Sequence, residues 1–288
     1  MAKNPLTLPK PLVDKLPVRL GGSGDGVVPV VRLHGMIAPG GAGFSRVLSA
    51  ESVEEPLRRA FTTRGAKAVA LLINSPGGSP TQSEYIASRI RQLATEHEVP
   101  VIAFCEDVAA SGGYWLACAA DEIYATATSV VGSIGVISAG FGFSELIERL
   151  GIERRLHSAG ESKARLDPFF VEKSEDVEWL NTIQEGIHDE FRDWVVGRRG
   201  EKLKAAGANL FDGDVWLGRR AAELGIVDGV GTLREVVEKR FPGAKLEMTE
   251  ARRSLFAKLG LPAAGWDEAA AAIVGAASAR VAWSRYGR

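Results

Sequence analysis

The chain has 288 residues, of which 45% are hydrophobic and 25% are charged, and its formal net charge is −1. This length and composition are ordinary for a soluble globular protein and suit one α/β domain with an extension. A net charge this close to zero gives no reason to expect nucleic acid as a partner.

Cysteine and histidine usage indicates neither a disulfide framework nor a metal centre. Cys105 and Cys118 both lie in apolar segments, which favours two reduced core residues. No Cys/His cluster has metal-ligand spacing, so no metal and no other cofactor is expected. The N-terminus lacks the apolar core of a signal peptide, and no stretch reaches the ~18 residues of a membrane span. These features predict a cytoplasmic protein.

Strand and helix patterns alternate along the chain. Residues 1–26 are rich in proline and glycine and predict a flexible N-terminal arm. The predicted strands are Val27–Leu33, Ala66–Ile73, Val99–Cys105, Glu122–Ala125, Ser129–Ser138, Glu153–His157 and the short Ile226–Val230. The predicted helices are Glu51–Arg64, Gln82–Thr95, Ser111–Ala119, Phe143–Leu150, Glu172–Gly197, Trp216–Leu224 and Leu233–Phe241. The alternation predicts right-handed βαβ units and a largely parallel sheet within a domain spanning residues 27–241.

Residues 242–288 predict a helical tail beyond this domain. Its Ala-rich part, Asp267–Tyr286, has few large apolar groups, among them Trp283. We expect this helix to pack on its own subunit or on a neighbouring one. Because Arg280 and Arg285 flank Trp283, peripheral binding to a membrane surface is the alternative.

Two Gly-Gly turns follow successive buried strands, at Pro76–Gly78 and at Ser111–Gly113. Glycine has no Cβ atom, so each turn would let a reacting carbonyl approach backbone N–H groups. The N–H groups of Gly78 and Gly112 could converge as an oxyanion hole. Ser111, at the start of a predicted helix, is then either a nucleophile or simply a helix N-cap.

A serine nucleophile needs a base, and no histidine offers an obvious partner. The other candidate is Lys163, in the polar loop after the strand predicted at Glu153–His157. A lysine acts as a general base only when its pKa falls from about 10.4 toward about 7–8, which burial among apolar groups brings about. Spacing alone does not decide whether this lysine does so.

Four motifs in order give the chain a recognisable family resemblance. They are INSPGGS at Ile73–Ser79, VAASGGYWLACAAD at Val108–Asp121, VGSIGV at Val131–Val136 and GESKARLDPF at Gly160–Phe169. The chain resembles the S49 family of serine peptidases, the signal peptide peptidase A and SohB group, from about Val27 to about Arg240.

The resemblance implies a ClpP/crotonase-like α/β fold of repeated ββα units and a Ser–Lys dyad. Carried over by motif, the nucleophile is Ser111, the general base is Lys163 and the hydroxyl that orients the base is Ser133. The oxyanion amides would be those of Gly78 and Gly112.

The same resemblance implies an endopeptidase that cuts unfolded or hydrophobic peptides, such as signal-peptide remnants or membrane-protein fragments. It also implies a homo-oligomeric ring or dome. Relatives usually carry an N-terminal membrane anchor, which we do not expect here, so the enzyme is expected in the cytoplasm or peripherally at the inner face of the membrane.

Two alternatives remain open from the residues. A crotonase-like acyl-CoA hydratase or isomerase shares the two-turn oxyanion hole and would use carboxylates, for which Glu106 and Asp107 are the candidates. A non-catalytic scaffold in a membrane quality-control assembly would need neither Ser111 nor Lys163.

Overall fold

The computed structural model describes residues 26–40, 47–204, 209–249, 283, 284 and 286. The chain divides into two compact units. Unit 1 comprises Met1–Ile134 and Trp194–Arg288, and unit 2 comprises Gly135–Asp193. The sequence does not predict this division within residues 27–241.

A single sheet organises the described part of unit 1. Its strands are β1 (Val27–His34), β2 (Val69–Ser75), β3 (Val101–Ala110), β4 (Glu122–Ala125), β5 (Val130–Gly132), β6 (Val215–Leu217), β7 (Gly229–Val230) and β8 (Lys245–Met248). They run in the order β6-β5-β3-β2-β1-β8, while β4 pairs with β3 and β7. Within this sheet β5 and β6 are antiparallel and the other pairs are parallel. The central strands are rich in buried Val, Ile, Leu and Ala, as expected for a sheet covered on both faces.

The described residues form seven α-helices, three of which begin at a polar side-chain cap. They are α1 (Ala50–Phe61), α2 (Pro80–His97), α3 (Gly112–Ala117), α4 (Ser144–Arg149), α5 (Ser174–Arg199), α6 (Gly218–Glu223) and α7 (Leu233–Arg240). Ser49, Ser79 and Thr232 precede α1, α2 and α7, and each accepts a hydrogen bond from the backbone N–H three residues on. Such caps satisfy N–H groups that have no partner within the helix.

The predicted α/β class and parallel sheet are confirmed, but four predicted elements differ. The strand predicted at Val99–Cys105 continues to Ala110 as β3. Glu153–His157, predicted as a strand, is exposed irregular backbone in unit 2. The strand predicted at Ser129–Ser138 ends at Gly132, because Gly132 and Ser133 both take positive φ. Trp216 lies in β6 rather than in a helix, and α6 begins only at Gly218.

The predicted boundary at residue 242 also differs from the structure. Lys245–Met248, assigned from the sequence to a helical tail, is strand β8 and pairs with Val27–Val30 of β1. Thr249 extends this pairing by donating from both its N–H and its hydroxyl to the Val30 carbonyl. The helical segments predicted at 251–259 and 267–286 lie outside the described residues except for 283, 284 and 286, as does the N-terminal arm except for residue 26.

The two cysteines are buried free thiols, which confirms the prediction for Cys105 and Cys118. Burial raises the pKa of each thiol to about 12. Both therefore stay protonated at neutral pH, which makes them poor nucleophiles.

A buried ion pair joins the last turn of α5 to the core of unit 1. The Arg199 side chain is 2% exposed, and its Nη1 lies 2.7 Å from Oδ2 of Asp228. Its Nε and Nη2 donate to the Gly225 carbonyl at 3.1 and 2.7 Å. Asp228 also accepts from Lys202 Nζ and from the Ile123 N–H. Burial alone would raise the pKa of the Asp228 carboxyl, but these hydrogen bonds together hold it below its ordinary value.

We expect Asp228→Asn to lower the free energy of unfolding in urea by about 3–5 kcal/mol at pH 7, because it leaves the Arg199 guanidinium buried without its counter-charge. The folded-state pKa of Asp228 is below the unfolded value of about 3.9, so its contribution is present above about pH 4 and is lost as the pH falls through the folded pKa. The difference between wild type and variant should therefore shrink below pH 4.

Glu223→Gln is the matched control. Glu223 pairs with Arg220 at the surface, where their side chains are 63% and 46% exposed. Its loss should cost less than about 1 kcal/mol. Equal costs for the two substitutions would contradict a stabilising role for the buried pair.

Candidate active site

Ser111 stands at a strained corner between β3 and α3. Its φ and ψ angles are 52° and −124°, a region that side chains other than glycine rarely enter. Residues 108–110 and 112–120 are buried, whereas Ser111 is partly exposed. Its hydroxyl caps no N–H group of α3. The helix-cap interpretation of Ser111 is therefore wrong, and the corner resembles the strand-turn-helix elbow that carries the serine of α/β-hydrolases.

The two Gly-Gly turns lie against each other. A Cβ atom added to Gly77 would lie 2.8 Å from both the Ser111 Cβ and the Gly112 nitrogen. One added to Gly78, where φ is +144°, would overlap the Ile37 carbonyl. Only glycines permit this close approach of the two turns. Gly77 is not among the site residues predicted from the sequence, although it stands in the same turn as Gly78.

Two backbone N–H groups beside Ser111 are unsatisfied. Among the described residues, the N–H groups of Gly78 and Gly112 have no hydrogen-bond acceptor. Around Gly78, the Ile37 N–H donates to the Gly77 carbonyl and the Ser79 N–H donates to the Ile37 carbonyl. Unpaired N–H groups close to a serine hydroxyl can stabilise an oxyanion that forms there.

Ser133 lies beside Ser111 because their strands are in register. Ala110 of β3 pairs with Gly132 of β5, and Ser111 N–H donates to the Gly132 carbonyl at 2.8 Å. The φ angle of Ser133 is +54°, and its N–H donates to the Asp214 carbonyl at 2.6 Å. Its Oγ lies 3.3 Å from the Tyr286 hydroxyl, which donates to it.

Helix α3, which follows Ser111, is anchored by other elements of unit 1. The buried Tyr114 hydroxyl donates to the Ile226 carbonyl at 2.7 Å, and burial raises the pKa of that hydroxyl well above its usual range. Trp194 Nε1 and Arg198 Nε donate to the Trp115 and Cys118 carbonyls at 3.0 and 2.8 Å. These contacts hold α3, and thus Ser111, against the sheet.

Lys163 belongs to unit 2. It lies in a 3₁₀ turn, Glu161–Ala164, with its N–H donating to the Gly160 carbonyl and its side chain exposed. Thus four of the five predicted site residues, Ser111, Ser133, Gly78 and Gly112, come together in unit 1, and the fifth is carried by the other unit.

Unit 2 contains a cleft of about 1300 Å³ next to the Lys163 turn. Apolar side chains and carboxylates both line it, among them Phe141, Phe143, Phe170, Glu161 and Glu172. Several large apolar side chains of the unit are exposed, including Phe141 and Val171 at 80% and 78%. Patches of this kind on a soluble protein commonly mark interaction surfaces.

None of the helices that the structure describes is long and apolar enough to cross a membrane.

Proteins similar to this chain include two that are named as antiporters and two that are named as peptidases. Two Brucella proteins, from B. abortus and B. melitensis, are described as Na(+)/H(+) antiporter NhaA. Each is 46% identical over 272 residues, which is 90% of this chain and 37% of the relative. Protease 4 of Haemophilus influenzae is 32% identical over 74% of this chain and 34% of its own length. The putative signal peptide peptidase SppA of Enterococcus faecium is 30% identical over 63% of this chain and 52% of its own length.

The chain thus spans between about a third and a half of these relatives. Two solved structures of a membrane-bound stomatin-specific protease, both mutants and one in complex with a substrate peptide, have TM-scores of 0.46 and 0.48. They are 14% and 16% identical and cover 80% and 81% of this chain and 99% and 95% of their own.

The sequence profile of Peptidase family S49 matches residues 94–247, just over half of the chain. The chain therefore belongs to peptidase family S49, a family of serine peptidases.

Proposed function

We propose that this chain is a serine endopeptidase whose nucleophile is Ser111. The observation that carries the proposal is the strained backbone of Ser111, whose hydroxyl caps no N–H group of α3. This hydroxyl lies near the N–H groups of Gly78 and Gly112, which have no acceptor among the described residues. Strain of this kind costs about 1–3 kcal/mol and persists where function requires the conformation. Membership of family S49 supplies the reaction class, hydrolysis of a peptide bond.

Lys163 is the proposed general base, and because its side chain is exposed in the described structure, its burial would have to come from the assembled oligomer or from bound substrate. Its amine takes the proton from Ser111 Oγ while Oγ bonds to the peptide carbonyl carbon, and the carbonyl oxygen becomes an oxyanion held by the Gly78 and Gly112 N–H groups. The C–N bond then breaks, and the Lys163 ammonium returns the proton to the leaving amine. Water hydrolyses the acyl-enzyme by the same steps. The Ser133 hydroxyl is proposed to orient the Lys163 amine.

The proposed substrates are unfolded or hydrophobic peptides, such as signal-peptide remnants or membrane-protein fragments. An extended peptide would pair with the backbone that follows β5, near Ser133, by β-augmentation. The name of the Enterococcus faecium relative, a putative signal peptide peptidase, supports the first substrate class. No nucleic-acid partner and no cofactor form part of the proposal.

We also propose that the chain forms a homo-oligomer, a ring or dome. The exposed apolar side chains of unit 2 support this, since a second subunit would cover them. A location at the inner face of a membrane, through the C-terminal tail, remains a hypothesis about residues that lie mostly outside the described part.

The Brucella antiporter name does not change the proposed activity. The match covers 90% of this chain, so it includes most of residues 94–247, where the family profile lies. The shared part is thus the peptidase-family part, and we assign this chain the peptidase chemistry.

We expect Ser111→Ala and Lys163→Ala each to lower the rate of peptide hydrolysis at least about 10³-fold, because one removes the nucleophile and the other its base. The measurement is cleavage of an unfolded, apolar fluorogenic peptide by the full chain. Lys173→Ala is the matched control, since Lys173 is an exposed lysine of the same unit with only a 3.9 Å contact to Glu175. Full activity of Lys163→Ala would rule out the dyad.

A fluorophosphonate probe separates this proposal from the crotonase-like and scaffold alternatives. The peptidase should be labelled covalently at Ser111, and Ser111→Ala should not be labelled. Turnover of an acyl-CoA thioester without labelling would favour the crotonase-like enzyme. An inert but assembled protein would favour the scaffold.

A third variant, Ser111→Gly, tests whether the strain is retained for the sake of the hydroxyl. We expect both Ser111→Gly and Ser111→Ala to be inactive. The glycine variant should be more stable by about 1 kcal/mol in urea unfolding, because glycine enters φ 52°, ψ −124° without a Cβ penalty. Equal stabilities of the two variants would show that the corner is unstrained.

A further inference from the structure

The register between β2 and β3 slips just before the nucleophile. Val69 to Ile73 pair one for one with Val101 to Cys105, but the next pair is Ser75 with Ala109. One β2 residue, Asn74, thus stands opposite three β3 residues, Glu106 to Val108. This is a bulge in β3, and a bulge bends its strand and redirects the residues after it.

The bulge lies where β3 changes neighbours. Before it, Ile102–Cys105 pair with β4, and after it, Val108–Ala110 pair with β5. Ser111 follows directly and donates to the Gly132 carbonyl of β5. The position of Ser111 beside β5 therefore depends on the conformation of the bulge.

The Asn74 side chain replaces the ladder contacts that the bulge removes. Its Oδ1 accepts from the Val108 N–H at 3.2 Å, and its Nδ2 donates to Asp107 Oδ2 at 2.9 Å. The Asn74 carbonyl meanwhile accepts from Gly35 N–H, so its backbone is fixed to the end of β1. A carboxamide is suited to this place because it offers an acceptor and a donor side by side.

Glu106, the second extra residue of the bulge, has its side-chain partner on β1. The Glu106 carboxylate lies 2.7 Å from His34 Nε2, and His34 is the register partner of Asn74. The side chains of Asp107 and Glu106 thus have partners at the carboxyl ends of β2 and β1. Of the two partners, it is Asn74 that also binds the backbone of the bulge, at the Val108 N–H.

We propose that Asn74 is a positioning residue, whose carboxamide holds the β3 bulge in the conformation that places Ser111 for attack. This inference rests on the proposed function, because it takes Ser111 to be the nucleophile. Asn74 itself need not touch the substrate.

The experiment is an amide-carboxylate swap. Asn74→Asp removes the donor to Asp107 and sets two carboxylates together. We expect the second-order rate constant for fluorophosphonate labelling, counted per folded molecule, to fall about tenfold or more. The kcat for peptide hydrolysis should fall similarly, with KM changed less than threefold. In Asn74→Asp/Asp107→Asn the new amide at 107 donates to the new carboxylate at 74, which still accepts from Val108, so both rates should recover to within about threefold of wild type.

Asn181→Asp, an exposed change of the same kind in α5, is the control for added charge. A merely structural role would lower stability and leave the rate per folded molecule unchanged. Hydrogen exchange of the peptide spanning 106–113 gives a readout independent of catalysis, and it should speed up in Asn74→Asp and return in the swap.

The outcomes are distinguishable. Wild-type protein that is not labelled at Ser111 would overturn the proposed function, while faster exchange in Asn74→Asp would still support the role of Asn74 in holding the bulge. Wild-type labelling rates in Asn74→Asp, or a swap as slow as the single variant, would overturn the inference about Asn74.

Discussion

The change of neighbours by β3 is the constraint on which the rest of unit 1 depends. A strand has two edges, and β3 gives one of them to β2 throughout. The other edge of β3 pairs with β4 at Ile102–Cys105 and with β5 at Val108–Ala110. The two short strands can share one edge only because β3 bends between them. The bend brings Ser111, the Gly77-Gly78 turn and Ser133 to one place, from three segments far apart in sequence.

The contribution of local sequence to this arrangement was largely predictable. β2 and the first half of β3 begin as continuous apolar runs and β1 is apolar as far as Val31, a composition that favours buried parallel strands. The Ser111–Gly113 turn could be located because glycine and serine favour turns and stand here between an apolar strand and an apolar helix. Whether the Ser111 hydroxyl caps α3 could be decided only from the structure, in which it accepts from no N–H group of that helix.

The features that the sequence could not predict depend on pairing between distant segments. The sequence does not predict a strand at Val108–Ala110, because the strand that pairs with these residues, β5, has only three residues. Lys245–Met248 read as tail because a short polar strand is recognisable only beside its partner, β1. Conversely, Glu153–His157 is irregular, because no strand among the described residues pairs with it to satisfy its N–H and C=O groups. Asn74 is one polar residue at the end of a strand. Its hydrogen bonds to Val108 and Asp107 follow from the register between β2 and β3, which the sequence does not give.

The pairing of β8 with β1 has a consequence for how the molecule is made. β1 is among the first described segments to be synthesised, and β8 is nearly the last. Until β8 arrives, the Val27–Val30 edge of β1 has unpaired N–H and C=O groups along an apolar strand, the kind of edge that recruits other chains. Strands β2 to β7 are all synthesised before β8, so this edge of β1 stays unpaired during that interval and exposes the nascent chain to aggregation.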